Sequence, residues 1–369
     1  MMRIYHVGAW GRNHGDRAIQ ASQLDMLTAI AAREFADVAH IYPIDIQGGP
    51  FTPHIEEVRD RADLLIVGGG GLLWEKPELG SRSGWQWDIT LDEFDALDGV
   101  PTALYALGWT QFPYGDKTGD DGRIANHLRG LIDRGVNLTV RNVGTRDAVR
   151  KRTGLDAGLV ADPALFAYGN LPVDVPGIDW TKPVIGLCWA SDKPDWRWPS
   201  GEAEAEYIYS VAETLQQSGA QVLLLEHIAG MDDAIRFNLR TRIPDLFSLE
   251  ESCPSLYPPT RANVRHLTAL YARLSGVLSM RKHGLYLAMS QSVPAIGLGD
   301  MPEVKWICRQ YGLPWFPAAG NATTATMTRA VQHMSDQREP VANAIVDERV
   351  WAEAVTRNVL ATARRRVAT

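Results

Sequence analysis

Short apolar runs alternate along the chain with stretches in which apolar residues recur at helical spacing. In the first half, Ile4 to Val7 is typical of a buried strand, and the stretch from Asp16 to Phe35 has the period of a helix. The further strands predicted in this half are residues 40–46, 63–67, 102–107, 138–141 and 158–161, and the further helices are residues 55–62 and 124–134. Because strands alternate with helices, the pattern predicts parallel βαβ units.

A segment with three prolines and a glycine, residues 171–183, interrupts this alternation, which then restarts. The strands predicted after it are residues 184–188, 222–226, 276–280 and 295–298, and the helices are residues 204–217, 232–240, 264–274, 285–290, 302–311 and 341–367. We therefore predict an α/β protein with two Rossmann-like domains that face a cleft. Their bounds are residues 1–170 and 184–340, with a linker at 171–183 and a C-terminal helix, 341–369, long enough to pack back on the first domain.

Ligands of such sheets bind at the carboxyl ends of strands, so residues that follow a strand are the candidates for a site between the domains. The first are Asn13 and Asp16, which lie between the first strand and the first helix. They can accept hydrogen bonds from a substrate's hydroxyl groups, or they can simply cap the helix. Gly69 and Gly70 follow a buried strand, and their N–H groups can bind an anion or form a tight turn.

Cationic side chains follow the strands in both halves. Arg141 ends a strand, where its guanidinium can grip a phosphate or carboxylate, and Arg146 competes for that role. Lys305, at the start of a later helix, can supplement an anion site or be solvated.

Arg281, Lys282 and His283 follow a strand and precede a helix, so cations and an imidazole lie at a helix N-terminus. The helix dipole there disfavours extra cations. This cluster therefore indicates an anionic ligand, and a histidine can act as a general acid near neutral pH. His14 and His127 are the other candidates for that acid.

Twelve tryptophans are present, and four of them lie in polar loops, namely Trp85, Trp87, Trp196 and Trp198. Flat aromatic faces in such loops can stack on sugar rings or anchor an interface. We take Trp196 and Trp198 as candidate acceptor-binding residues.

Composition narrows the class of protein further. The 369 residues are 45% hydrophobic and 22% charged, which is ordinary for a globular protein. The net charge of −7 gives no general attraction to nucleic acid, although a local basic groove would allow one. Three cysteines form no disulfide framework and no zinc-ligand spacing, and no apolar run is as long as a membrane span. The sequence predicts a cytoplasmic protein without a metal, and it leaves open whether the chain forms a homo-oligomer.

Taken in order, these motifs resemble those of the polysaccharide pyruvyl transferase family. The matching segments are Asn13-x-Gly15-Asp16, Gly69-Gly70, residues 140–145 with Thr145 in place of a serine, residues 160–165, residues 279–288, residues 293–296 and Lys305. The resemblance implies a fold like that of GT-B glycosyltransferases, phosphoenolpyruvate as donor, a sugar or glycan as acceptor, and no cofactor. It also implies that Arg281 and His283 hold the donor, that Arg141 assists, and that the acceptor lies near Asn13 and Asp16.

Two other functions remain open from the residues. One is a GT-B-like glycosyltransferase that uses a nucleotide sugar, with a glycan, a small molecule or a modified nucleobase as acceptor. The other is a non-catalytic sugar-binding protein. For pyruvyl transfer we expect Arg141, Arg281 and His283 to meet at one place between the domains, with no internal carboxylate to neutralise the cations.

Overall fold

A computed structural model gives the fold, and it describes residues 1–11, 13–47, 49–74, 80–114, 122–171, 173–318 and 324–367. Its strands form two six-stranded sheets, and every pairing in them is parallel. Parallel sheets need helical crossovers on their faces, which explains the alternation seen in the sequence. The α/β prediction is therefore confirmed.

The first sheet is built from the first half of the chain. Its strands are β1 (Met2–Gly8), β2 (Ala39–Asp45), β3 (Leu64–Leu73), β4 (Thr102–Trp109), β5 (Asn137–Val140) and β6 (Gly158–Leu159). Its helices are α1 (His14–Phe35), α2 (Ile55–Arg61), α3 (Leu91–Asp95), α4 (Arg123–Asp133) and α5 (Val143–Thr153). The strand order is β2-β1-β3-β4-β5-β6, so the order reverses between β1 and β3.

The second sheet uses the second half. Its strands are β7 (Val184–Cys188), β8 (Gln221–Leu224), β9 (Leu246–Ser248), β10 (Gly276–Ser279), β11 (Ala295–Leu298) and β12 (Trp315–Phe316). The helices are α6 (Pro194–Arg197), α7 (Gly201–Ser218), α8 (Asp233–Arg240), α9 (Leu249–Ser252), α10 (Arg261–Tyr271), α11 (Lys282–Ser290), α12 (Pro302–Tyr311), α13 (Thr324–Gln332) and α14 (Arg338–Val367). The order β12-β11-β10-β7-β8-β9 is that of a dinucleotide-binding Rossmann fold, and it reverses between β7 and β10.

The glycine run does not form the turn that the sequence allowed. Strand β3 continues through it to Leu73, with a register shift between Gly70 and Leu73. The neighbouring strand β4 also shifts register, between Leu104 and Leu107, and Ala106 between them has a φ of 52°. Bulges of this kind change the direction of a strand end, and both lie at the edge that faces the second half.

Helix α5 was not predicted, since it carries few apolar residues and its buried face includes Thr145 and Thr153. Strands β9 and β12 and helix α13 were also missed, because they are short or lack a clear apolar period.

The two halves are joined by a continuous apolar core that includes residues of both sheets and of α14. Within the segment between the sheets, Val175 and Ile178 are buried in that core, and Pro172 lies outside the described residues. Helix α14 lies against α1, where Arg33 Nη2 is 2.8 Å from Glu353 Oε2. The terminal helix therefore contacts the first half of the chain.

Candidate active site

A cavity of about 190 Å³ lies where the reversal points of the two sheets face each other. The first half contributes residues at or after the carboxyl ends of β1, β3 and β4, among them Asn13, Asp16, Gly71, Trp74, Gln86, Thr110 and Phe112. The second half contributes residues that follow β7, β8, β10 and β11, among them Asp192, Arg197, His227, Arg281, Lys282, His283 and Glu303. The structure thus brings Asn13, Asp16, Arg281 and His283 together, as the sequence predicts for one site.

The start of α1 forms the wall on the side of the first sheet. Asn13 caps the helix, since its side chain accepts a hydrogen bond from Gly15 N at 2.8 Å, and it lines the cavity as well. Gly15 has a packing role, because a Cβ there would lie 2.0 Å from Nδ1 of His283. A glycine at this position lets the second half approach the first helix.

The wall formed by β3 uses a different glycine from those predicted. Gly71 lines the cavity, and its carbonyl accepts hydrogen bonds from Gln86 Nε2 at 2.9 Å and Thr110 Oγ1 at 3.0 Å. Gly69 instead faces Ile19, since a Cβ there would lie 2.3 Å from that side chain. Neither Gly69 nor Gly70 is among the described lining residues, so the predicted anion-binding role of this pair is corrected.

Arg281 lies at the end of β10 and is neutralised within its own half of the chain. Its Nε donates to the carbonyl of Trp189 at 2.6 Å. Its Nη1 lies 2.8 Å from Asp192 Oδ1, and its Nη2 lies 3.2 Å from Asp232 Oδ1. The expectation of cations without internal carboxylates is therefore wrong for this residue.

Asp192 is shared by two arginines that line the cavity. Its Oδ2 accepts from Arg197 Nη2 at 2.8 Å, while its other oxygen faces Arg281. Although burial opposes it, these two guanidinium groups hold the pKa of Asp192 below its usual range. Neither Asp192 nor Arg197 was predicted, yet both follow β7 at a strand reversal, which is the signal that would have found them.

Arg141 lies behind the cavity wall rather than in it. The side chain is fully buried, with Nη1 3.0 Å from Asp162 Oδ2 and Nη2 2.5 Å from Glu303 Oε1. It packs flat against Gly108, where a Cβ would lie 2.3 Å from the guanidinium. Arg141 does not line the cavity, and the predicted direct contact with a donor is corrected.

Lys282 connects this buried group to the cavity. Its Nζ lies 3.0 and 3.2 Å from the two carboxylate oxygens of Glu303, and Oε1 of that carboxylate is shared with Arg141. Burial, and then the charge of Arg141, lower the pKa of Lys282, although Glu303 and Asp16 oppose the shift. Sequence reasoning placed Lys282 in the cluster but gave it no role.

The histidines of the cavity are neutral near pH 7. Burial, followed by the charges of Lys282 and Arg141, lowers the pKa of His283 well below its usual value, and no described group hydrogen-bonds its Nε2. Burial likewise lowers the pKa of His227, whose Nε2 lies 2.9 Å from Tyr271 Oη. His283 therefore carries no extra proton in the free enzyme, which argues against the predicted acid.

The other two candidate acids do not line the cavity. His14 is buried beside Tyr257, with ring centroids 4.8 Å apart. His127 accepts a hydrogen bond from Trp85 Nε1 at 3.0 Å within the core of the first half. Burial lowers the pKa of each to about 4.

The predicted sugar-stacking tryptophans are mostly core residues. Trp198 is 3% exposed and stacks on Trp189 with centroids 6.0 Å apart, so it offers no face to a sugar. Trp85 and Trp87 are also buried. Trp196 is partly exposed but is not among the described lining residues.

The aromatic groups at the cavity itself are Trp74 and Phe112, which sequence reasoning missed. Trp196 contacts both from outside, at centroid distances of 6.4 and 5.2 Å. Lys305 does not reach the cavity. Its Nζ lies 5.0 Å from the ring centroid of Trp315, at the edge of the second sheet, so its predicted donor contact is corrected.

Charges balance around the cavity. Among the described lining residues, the cations are Arg197, Arg281 and Lys282, and the anions are Asp16, Asp192 and Glu303. With both histidines neutral, the three cations and the three anions cancel. An anionic ligand must therefore compete with carboxylates that already hold the cations, and it is expected to bring protons with it.

The sequence model of the family described as polysaccharide pyruvyl transferase matches residues 11–300. The chain belongs to the polysaccharide pyruvyl transferase family. The matched region includes Asn13, Asp16, Arg141, Arg281 and His283 and ends before Lys305. Membership in this family identifies the protein as a transferase enzyme. No functionally curated protein sequence matches the chain.

Solved structures with the same fold come from epimerases and glycosyltransferases. A putative UDP-N-acetylglucosamine 2-epimerase from Listeria monocytogenes superposes with a TM-score of 0.56 at 11% identity, over 93% of this chain and 90% of that chain. The UDP-GlcNAc 2-epimerase of Methanocaldococcus jannaschii gives 0.54 at 12% identity, over 90% and 92%. The glycosyltransferase SnogD of Streptomyces nogalater gives 0.52 at 15% identity, over 98% and 99%.

At such low identity the likeness shows the fold alone, and it confirms a GT-B-like arrangement for this pyruvyl transferase family member. Among the described helices, none combines the length and the apolar character that crossing a bilayer requires.

Proposed function

We propose that this enzyme transfers the pyruvyl group of phosphoenolpyruvate to two hydroxyl groups of a sugar or glycan. The products are a ketal and inorganic phosphate. The observation that carries the proposal is the convergence of Arg281, Lys282 and Arg197 with Asn13 and Asp16 in one interdomain cavity of a polysaccharide pyruvyl transferase family member.

The ion pairs of the cavity can exchange a carboxylate for a small anionic ligand. The cavity of about 190 Å³ presents two arginines and a lysine to a ligand. The donor's phosphate and carboxylate would take the place of Asp192 between Arg281 and Arg197. Two arginines that share one carboxylate can exchange it for a ligand that offers more oxygens.

The reaction can be written so that its atoms balance. A proton is added to the methylene carbon, and positive charge develops on the adjacent carbon. A sugar hydroxyl attacks that carbon and phosphate leaves with the electrons of the carbon–oxygen bond. A second hydroxyl then closes the ketal. One hydroxyl proton replaces the proton that was added to the methylene carbon, and the other leaves on phosphate.

Carboxylates close to the cations are useful for this chemistry. The donor is an anion when it binds, but the reacting carbon becomes cationic, and fixed negative groups stabilise that charge. Asp16 and Glu303 line the cavity on opposite sides of the cleft and are placed for this role. The acceptor would lie beside Asn13 and Asp16, with Trp74 and Phe112 available for contact with a sugar ring.

The test is binding followed by turnover. Phosphoenolpyruvate is titrated into the enzyme in a calorimeter, and the loaded enzyme is then incubated with a panel of methyl hexopyranosides, with phosphate release and product mass recorded. We expect saturable binding and a product heavier by one pyruvyl ketal.

Two results would sink the proposal. Stabilisation by a UDP, GDP or CMP sugar, with no binding of phosphoenolpyruvate, would favour glycosyl transfer. Binding of a glycan with no turnover of any donor would favour a sugar-binding protein.

A further inference from the structure

Among the described residues that line the cavity, Lys282 is the only lysine. The two lining arginines hold their protons too tightly to transfer them near neutral pH. The lining histidines, His227 and His283, are neutral. A reaction that begins by adding a proton to carbon needs a donor within the cavity. The pKa values of the lining carboxyl groups Asp192 and Glu303 are lowered by the cations beside them, although burial opposes this, and the ammonium group of Lys282 remains as a proton-bearing group in contact with Glu303.

We propose that Lys282, rather than its neighbour His283, is the catalytic acid that protonates the methylene carbon of the donor. This inference rests on the proposed function and assigns a catalytic residue within it.

The geometry holds the ammonium group at the junction of the two halves. Glu303 accepts from Nζ through both oxygens, at 3.0 and 3.2 Å, and Arg141 fixes the same carboxylate from behind at 2.5 Å. On the opposite wall, a Cβ at Gly71 would lie 2.9 Å from Nζ. The amine is thus anchored by Glu303, and a lysine has a third N–H bond to direct at a ligand.

Its surroundings make Lys282 a stronger acid than a solvated lysine. Burial and Arg141 lower its pKa, while Glu303 and Asp16 favour the ammonium form. A proton donor whose pKa approaches the working pH transfers its proton more readily. Without Arg141 behind Glu303, the carboxylate would hold the proton more strongly.

His283 lacks the property that the step requires. It is 3% exposed and its imidazole is neutral in the free enzyme, so any proton that it carries is taken up with the donor and held as the counter-charge of that anion. If the bound donor raises the pKa of His283, the resulting imidazolium stabilises the donor's negative charge. That makes His283 a binding group in this scheme.

Lys282 gives up one proton and regains one in each turnover. An N–H bond of Lys282 breaks as the new C–H bond forms from the electron pair of the carbon–carbon double bond. The neutral amine takes the proton of the first attacking hydroxyl when the new carbon–oxygen bond forms. The second hydroxyl proton leaves with phosphate, so the enzyme returns to its starting state.

The first experiment compares Lys282→Arg with the unchanged enzyme. Arginine keeps the charge and can still bond Glu303, but it does not give up its proton. We expect the dissociation constant for phosphoenolpyruvate to stay within about fivefold while kcat falls about 100-fold or more, the scale of a lost general acid. The matched control is Lys182→Arg, at an exposed residue in the chain segment that connects the two sheets, and it should change neither the dissociation constant nor kcat.

The second experiment is chemical rescue of Lys282→Ala with small primary amines. If the amine is the acid, added methylamine or ethylamine restores phosphate release, and the rate varies with the pKa of the amine. A purely structural role for Lys282 would not produce that dependence. In the unchanged enzyme, kcat should fall as pH rises through the pKa of Lys282, which faces Arg141, Glu303, Asp16 and His283.

The outcomes separate the two claims. If Lys282→Arg keeps kcat within threefold, or amines give no rescue, Lys282 is not the acid even though pyruvyl transfer stands. If the unchanged enzyme binds no phosphoenolpyruvate and releases no phosphate to any sugar or to water, the proposed function itself fails.

Discussion

Two arginines that follow strands in opposite halves of the molecule, Arg141 and Arg281, look alike in sequence and differ in the fold. Both are buried, and both face two carboxylates. Arg141 is sealed from the cavity and joins Asp162 of its own half to Glu303 of the other half. Arg281 lines the cavity, and it shares one of its carboxylates with a second arginine.

This difference separates a structural ion group from one that can exchange a partner. A sealed pair gains little from being charged, but it is costly to break because the carboxylates left behind remain buried. A pair at a cavity can trade an internal carboxylate for a ligand. The comparison predicts different consequences for similar substitutions.

The largest effect is expected for Arg141→Met. Asp162 would lose its buried arginine and Glu303 would keep only Lys282, so the free energy of unfolding should fall by about 3–5 kcal/mol. Chemical denaturation followed by fluorescence measures this. The control is Arg146→Met, at a half-buried arginine on helix α5, which should cost less than about 1 kcal/mol. If both variants lost the same free energy of unfolding, Arg141 would not be a structural ion group.

The next effect is expected for Arg281→Lys. A lysine keeps the charge but lacks the planar fork that reaches Trp189, Asp192 and Asp232 together. Affinity for phosphoenolpyruvate should fall about 10- to 100-fold, which corresponds to about 1.4–2.8 kcal/mol, measured by calorimetric titration. Arg240→Lys, a surface cation paired with Glu251, serves as control. Unchanged affinity would mean that Arg281, like Arg141, stabilises the fold and does not bind the donor.

A smaller change of opposite sign is expected for Asp192→Asn. Removing this carboxylate leaves Arg281 and Arg197 with less negative charge to share, so the cavity should bind phosphoenolpyruvate about 3- to 10-fold more tightly. The matched control is Asp195→Asn, an exposed residue three positions further along. Weaker binding by Asp192→Asn would show that the carboxylate positions the arginines rather than competing for them.

The smallest effect concerns pH. Because the pKa values of His227 and His283 are lowered, both are neutral at pH 7, and a bound trianion should raise them. Binding then takes up a fraction of a proton, so the association constant should rise by less than about threefold as pH falls from 8 to 6.5.

Calorimetry in two buffers of different ionisation enthalpy measures that uptake directly. His283→Asn should reduce it. An affinity that is flat with pH, together with no proton uptake, would mean that the donor's charge is met entirely by the existing cations.

Much of the fold followed from local pattern. Val184–Cys188 and Ala295–Leu298 are strands at the predicted residues, since each is a short apolar run with a proline or glycine close by. The strand through Gly68 to Gly71 was not predicted, because glycines in a strand have no side-chain signal and the bulge depends on β4 next to it. Helix α5 was missed because half its buried face is polar.

The site residues likewise include some that local pattern predicted and some that it did not. Asn13, Asp16, Arg281 and His283 were found because residues after parallel strands gather at one edge of a sheet. Trp198 and Lys305 were predicted as site residues from the same kind of local context. The side chain of Trp198 instead packs on Trp189 in the core, and that of Lys305 lies at the edge of the second sheet. Side-chain direction at a loop or helix start depends on packing against distant residues, which a local pattern does not contain.

The order of apolar runs and the family motifs by themselves determined two parallel sheets, the cleft between them and the group of residues that follow their strands. Only the tertiary structure decided which charges meet, since Arg141 and Glu303 are 162 residues apart in the chain and 2.5 Å apart in the fold. Coulomb energy depends on separation in space and on the loss of water, and both are properties of the folded protein. The same arginine pattern therefore yields a sealed ion group that joins the two halves at Arg141 and a cavity-facing pair at Arg281.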